Sequence, residues 1–298
     1  MRLVLKNQFL GHRGSIYSLM PWKHDTLLSS GSDGWIAQWD MTTQNPDGTL
    51  LAQTDAQVFC MAVDHDRDLL LCGTLDGHLL WLDMDQKIIL RKSAFHQKPI
   101  YSILIDREFV YTASGDGYLS KWSLDTQMPI HSRQLCTAGL RSLIPHPNDT
   151  DIWVGDAQGI IHQISTSELT TLSTTQAHQT TVFSMATSPD QNHLWSGGKD
   201  AQLIKWRILP ETLEKEIHIP AHWFTINDLS FIDDQHLISA SRDKRIRVWN
   251  TETGQVRCSV EAITGGHIHS VNTLYFDVKG RTLFSGGDDQ SIKIWSLE

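Results

Sequence analysis

The chain has 298 residues, 40% hydrophobic and 20% charged, with a formal net charge of -9 and a pI near 5.9. This is the balance of a globular chain long enough to bury a core, and its acidity argues against nucleic acid as a partner, because phosphate binding calls for a basic surface. No apolar run approaches the roughly 18 residues of a membrane helix, Met1–Lys6 is too poor in apolar residues for a secretory leader, and Cys60, Cys72, Cys136 and Cys258 form no CxxC pair, so a cytoplasmic setting with free thiols and no membrane partner is expected.

In chain order, Arg2–Phe9 precedes a Gly11-His12 pair. An apolar strand from Ile16 follows, then Ser29 to Trp39 with Asp33 inside it. In the next stretch, Cys72 to Leu82, the acid is kept as Asp76, but Leu82 stands where Trp is expected and Trp81 is one place early. Thr54 takes the His position. His96 then precedes a strand from Ile100, and Thr112 to Trp122 repeats the first pattern around Asp116. Val154 to Ile164 has Gln158 and Ile164 in the Asp and Trp positions, with Cys136 for the His.

Three complete copies follow. His178 leads to Val182 and to Ser196–Trp206 around Asp200. His222 leads to Ile226 and to Ser239–Trp249 around Asp243. His267 leads to Val271 and to Ser285–Trp295 around Asp289. In every complete copy the Asp lies six residues before the Trp, and a Ser or Thr lies four before the Asp. The frame recurs every 40 to 46 residues. Each unit reads as four short strands rich in β-branched and aromatic residues, with Asp-Gly turns at Asp33-Gly34, Asp76-Gly77 and Asp116-Gly117.

A period near 42 that opens on Gly-His and ends on Trp-Asp resembles the WD-repeat (WD40) family. Trp39-Asp40 and Trp249-Asn250 come closest to the end dipeptide, and the resemblance covers the whole chain. It implies an all-β fold, a single seven-bladed β-propeller of four-stranded antiparallel blades over 1–298. The repeats are expected at approximately 10–55, 56–93, 94–135, 136–175, 176–219, 220–261 and 262–298. After Trp295 the last repeat lacks a fourth strand of its own, and residues 2–9 are expected to supply it.

The resemblance further implies a hydrogen-bonded quartet in each complete blade: His12/Ser29/Asp33/Trp39, His96/Thr112/Asp116/Trp122, His178/Ser196/Asp200/Trp206, His222/Ser239/Asp243/Trp249 and His267/Ser285/Asp289/Trp295. A buried aspartate has to be paired or heavily bonded, and such a network would fix strand register. A catalytic triad built from the same residue types would require five copies of one active site, so a structural role is expected.

The quartets use five of fifteen histidines. Others, such as His24, His65, His131, His146, His193 and His236, are scattered and expected at the surface. No HExxH or Cys/His ligand set appears, and no Gly-rich loop leads into Lys-Ser/Thr and a helix, so neither metal nor cofactor is expected.

In this family the face carrying the d–a loops and b–c turns usually receives peptides. The second residues of the a strands there are Tyr17, Phe59, Tyr101, Arg141, Phe183, Asn227 and Asn272, and aromatics and Arg are favoured anchors. They share alternation parity with Leu19, Met61, Ile103, Leu143, Met185, Leu229 and Leu274, so packing between blades is the competing reading. The third residues, Ser18, Cys60, Ser102, Ser142, Ser184, Asp228 and Thr273, are expected to line a narrow wet channel. Trp35, Trp223, Phe224, Lys199 and Arg242 are the loop candidates, suited to an acidic or extended peptide.

The expected function is a non-catalytic protein-interaction scaffold, a monomeric propeller within a larger complex. The alternatives are an enzyme with a central-channel site, for which Asp228 and Arg141 are the titratable candidates, and a substrate receptor. The ubiquitin-ligase version of the latter is weakened, because neither end dipeptide is followed by the Arg of a Trp-Asp-x-Arg motif.

Overall fold

Runs of β-branched and aromatic residues broken by turn residues favour short strands over helices. In the computed structural model, which describes residues 1–23, 25–42 and 47–298, twenty-eight strands form seven four-stranded antiparallel sheets. One turn of 3-10 helix, Ala262–Thr264, is the only helical element among the described residues. Each of the first six blades is a meander a-b-c-d; blade 1 runs Ile16–Trp22, Thr26–Gly31, Trp35–Asp40, Thr49–Gln53. The a strands of successive blades pack side by side, and that of blade 7 (Val271–Asp277) meets that of blade 1, which closes the ring.

Burial falls from the middle of each blade to its rim. Strand b of blades 1, 2 and 4 is buried along its whole length, whereas the d strands Ile88–Ala94 and Pro129–Gln134 are mostly exposed. Apolar clusters fill the space between neighbouring blades. One unites Trp153 of blade 4 with Trp206 of blade 5.

Blade 7 takes its outer strand from the other end of the chain. Leu3–Leu10 pairs antiparallel with Ser291–Leu297, from Leu3 opposite Leu297 to Leu10 opposite Ser291. Phe9 is 1% exposed and stacks on Trp39 of blade 1 at 5.2 Å between centroids, so this strand joins blade 7 to blade 1 through side chains as well. Without it, an unpaired edge would be left on Ser291–Leu297.

Each complete blade holds one polar relay. In blade 1, the Trp39 indole N–H donates to Ser29 Oγ (2.7 Å), Ser29 Oγ lies 2.6 Å from His12 Nε2, and His12 Nδ1 lies 2.9 Å from Asp33 Oδ2. With the serine oxygen accepting from Trp, its one proton is free for Nε2; the neutral ring then donates through Nδ1 to the carboxylate. Backbone N–H groups of Arg13 and Trp35 donate to the same carboxylate. The pattern recurs around Asp116, Asp200, Asp243 and Asp289. Burial alone would raise these carboxyls, but hydrogen bonds from the ring and the backbone overcome it and hold them low, Asp116 at about 2.

The two incomplete repeats dispense with the relay in bulk. Cys72 and Leu82 replace the Ser and Trp of blade 2 and join one apolar cluster, while Asp76 turns outward and accepts from Thr74. Removing donor and acceptor together is nearly neutral, whereas losing one of them is not. Trp81, one place early, lands on the opposite face of its strand, because side chains alternate with a period of two. There it packs edge-on against Trp122 of blade 3 at 6.5 Å.

Blade 4 moves its acid rather than losing it. Asp156, fully buried at the end of strand b, accepts from the backbone N–H of Gln158 and Ile160 and lies 3.0 Å from His162 Nε2. His146 is likewise buried, its ring 4.5 Å from that of Trp153, against the expectation of a surface histidine. His24 lies outside the described residues.

Candidate functional site

The a strands do not alternate regularly. In all seven, the register with strand b shifts between the first and third residues, as between Ile16 and Ser18 or Val58 and Cys60. The second residue is thus the extra residue of a β-bulge. This breaks the parity between Tyr17 and Leu19 on which the inter-blade reading rests. Ile16 and Leu19 are buried in the blade, while Tyr17 faces the axis.

All seven second residues border one cavity of about 360 Å³. From blade 1 to blade 5 they touch in sequence. Tyr17 and Phe59 stack at 4.8 Å, Phe59 meets Tyr101 edge-on at 5.4 Å, and the Arg141 guanidinium lies 3.9 Å from the Tyr101 ring and 4.1 Å from that of Phe183. The two asparagines tie into the next blade: Asn227 Nδ2 donates to Val271 O (2.8 Å), and Asn272 Nδ2 to Ile16 O (3.0 Å). These side chains therefore line the axis and also bridge neighbouring blades.

The third residues are only in part a wet lining: Ser18, Ser102 and Asp228 stay partly exposed, while Cys60, Ser142, Ser184 and Thr273 are buried. Most of them stitch blades together. Ser102, Ser142 and Ser184 donate to backbone carbonyls of Leu143, Val182 and Ile226 in the following blade, and Cys60 reaches Ile100 O. Asp228 Oδ2 accepts from Leu274 N (2.7 Å), and Thr273 Oγ1 from Leu19 N (3.2 Å). The bulge turns them from the axis toward the neighbouring strand. Burial drives the Asp228 carboxyl up to about 7, only partly opposed by those N–H donors. Asp228 and Arg141 thus do not converge as a pair in the channel.

A second cavity of about 490 Å³ shares Tyr101, Arg141, Phe183, Asn227 and Arg242 with the first and opens among d–a loops and b–c turns. Lys98, Lys199 and Arg242 border it and are exposed. Trp223 (75% exposed) and Phe224 (56%) precede its lining residue Thr225. Arg245 lies over the Trp223 ring at 5.0 Å and pairs with Glu261, which leads into the 3-10 turn carrying exposed Ile263. Trp35 does not join them. It lines a separate cavity with Leu10, Trp39 and Leu50, under Arg13.

The family model described as "WD domain, G-beta repeat" matches residues 3–40, 44–81, 169–207, 214–250 and 258–296, more than half of the chain. It leaves out 82–168, although the relay of His96, Thr112, Asp116 and Trp122 lies there. An uncharacterized WD repeat-containing protein of Schizosaccharomyces pombe is 25% identical over 91% of this chain and 62% of its own length. Transcription factor unc-37 of Caenorhabditis elegans is 26% identical over 76% and 37%. WD repeat-containing protein 18 of Homo sapiens is 24% identical over 63% and 45%. The chain therefore spans less than two thirds of these relatives. The WD40 β-propeller domain of Doa1 superposes with a TM-score of 0.86 over 99% of this chain and 97% of that one, at 16% identity.

Proposed function

This chain belongs to the WD-repeat family, and on that premise we propose that it is a non-catalytic docking platform that receives a protein or peptide at the mouth of its central channel. The observation that carries this reading is the convergence of one side chain from each of seven blades on a single cavity, most of them aromatic or Arg. Such side chains dominate binding energy where they sit in a desolvated centre. Trp223 and Phe224 supply exposed apolar area beside that centre, on the same face.

The chemistry of the mouth favours binding over turnover. Asp288, the carboxylate on the cavity wall, is held by Asn272 Nδ2 at 2.7 Å. Asp228 gives its oxygens to backbone N–H groups. A general base has to reach substrate, and both are otherwise engaged.

The test is affinity capture from a lysate with the wild-type chain and a Trp223→Ala, Phe224→Ala, Arg242→Ala variant. All three side chains are exposed, so the fold should survive. A partner lost only with the variant supports the reading. A partner held equally by both variants, and lost instead with Trp35→Ala, moves the site to the cavity of blade 1.

A further inference from the structure

Among the seven residues that ring the channel, Arg141 is the single charged one. Its flat faces are covered by Tyr101 from blade 3 and Phe183 from blade 5, at 3.9 and 4.1 Å. The N–H donors of a guanidinium lie in its plane, and Arg141 borders the cavity. No carboxylate pairs with it among the described residues, and neither Lys98, Lys199 nor Arg242 on the rim has an ion-pair partner. Four uncompensated cations thus surround one opening in a chain of net charge -9. A largely buried charge without a counterion is costly, and the protein supplies none. Burial pushes the guanidinium down from its ordinary value, with Tyr101 and Cys60 acting the other way.

We propose that the channel mouth is an oxyanion site in which Arg141, clamped between Tyr101 and Phe183, grips a carboxylate or phosphate borne by the docking peptide. Planar, forked N–H groups match such anions with two parallel bonds, and the clamp fixes the fork before the ligand arrives. Lys98, Lys199 and Arg242 add long-range attraction at the rim. Asp288 stands on the far wall and is turned into Asn272, which leaves the Arg141 side free of like charge to the ligand. This identification of the ligand rests on the docking reading above only for what carries the anion.

The test uses inorganic phosphate and succinate with the full chain, at ionic strength held constant with sodium chloride, read by titration calorimetry and melting temperature. The expected result is saturable binding of at least one anion, weakened tenfold or more in Arg141→Gln and partly restored in Arg141→Lys. Preference for phosphate or for succinate identifies the source as a phosphorylated or an acidic residue. If Arg141→Gln does not fold, Lys199→Gln with Arg242→Gln, both exposed, should weaken binding several-fold. No saturable binding of either anion, or equal binding by wild type and the Arg141 variants, overturns the proposal. Loss of anion binding with no effect on partner capture would instead separate this site from the docking face. Partner capture without anion binding would leave the docking reading standing alone.

Discussion

Replacing Asp289 with alanine removes the acceptor for four groups at once, the backbone N–H of Ser291 among them. His267 Nδ1 lies 2.8 Å from Oδ1, Ser291 Oγ donates at 2.8 Å, and the backbone N–H of Ile268 donates at 3.1 Å. His267 is fully buried, so its N–H has no water to turn to. A charge-assisted bond contributes about 1.5–3 kcal/mol, and an orphaned buried donor costs about 1–3 kcal/mol. These overlap rather than add, which gives a loss of about 2–4 kcal/mol. With roughly 2 cal/mol/K of unfolding entropy per residue, the melting temperature should fall by about 3–6 °C. Differential scanning calorimetry reads this directly, with Asp288→Ala as the control. Asp288 is exposed, so its loss should move the transition by under about 1 °C. An Asp289→Ala protein that melts with the wild type would refute the relay as a source of stability.

Deleting residues 1–9 should expose the edge of Ser291–Leu297 and uncover Trp39, Phe284 and the site of Phe9, and light scattering should detect self-association absent from the intact chain. Unchanged solubility and melting would contradict the closing role of that strand. Acid should weaken the fold through two groups with the same sign. Asp116, held near 2, stabilises the native state above its ordinary value of about 4 and loses that contribution as pH falls toward 2. His222 is depressed by burial, so below roughly 6.5 the unfolded chain takes up a proton that the native chain resists. In an Asp228→Asn background, where the opposing carboxyl is gone, urea midpoints should therefore fall from pH 7 to pH 3, and a flat profile there would count against both assignments. Asp228 works in the opposite direction: neutral in the fold up to about 7 but ionised when unfolded above about 4, it removes stability as pH rises between those values. Relative to wild type, Asp228→Asn should gain about 4 kcal/mol between pH 4 and pH 7.

The repeat was readable because its partners are far apart in sequence yet fixed in register. Ser29 opposes Ala37 in the b–c hairpin, and the ten-residue reach from Ser29 to Trp39 cannot slip without turning Trp39 outward. The seven-bladed fold follows from seven such frames, five complete and two with apolar substitutes. Less legible was anything that depended on a local break in alternation. The sequence Ile16-Tyr17-Ser18-Leu19 looks like an ordinary strand, and only the bulge sends Tyr17 to the axis and frees Ser18 from its face. The Asp156–His162 pair was hidden for a related reason. Its members lie on adjacent strands of one hairpin, outside the frame that the other blades share, and Gln158 drew attention to the usual position instead. The separation of Trp35 from the mouth was also beyond the pattern, since its strand position places it above blade 1, beside Leu10 and Leu50.

Site-directed photo-crosslinking tests the docking account most directly. A benzoylphenylalanine placed at Phe59, on the cavity wall, should form an adduct with the partner that the Trp223, Phe224 and Arg242 variant fails to capture. The same group at Ile130, exposed on the outer strand of blade 3, should not. Adducts from Ile130 with none from Phe59 would put the partner on the rim and contradict a docking site at the channel mouth.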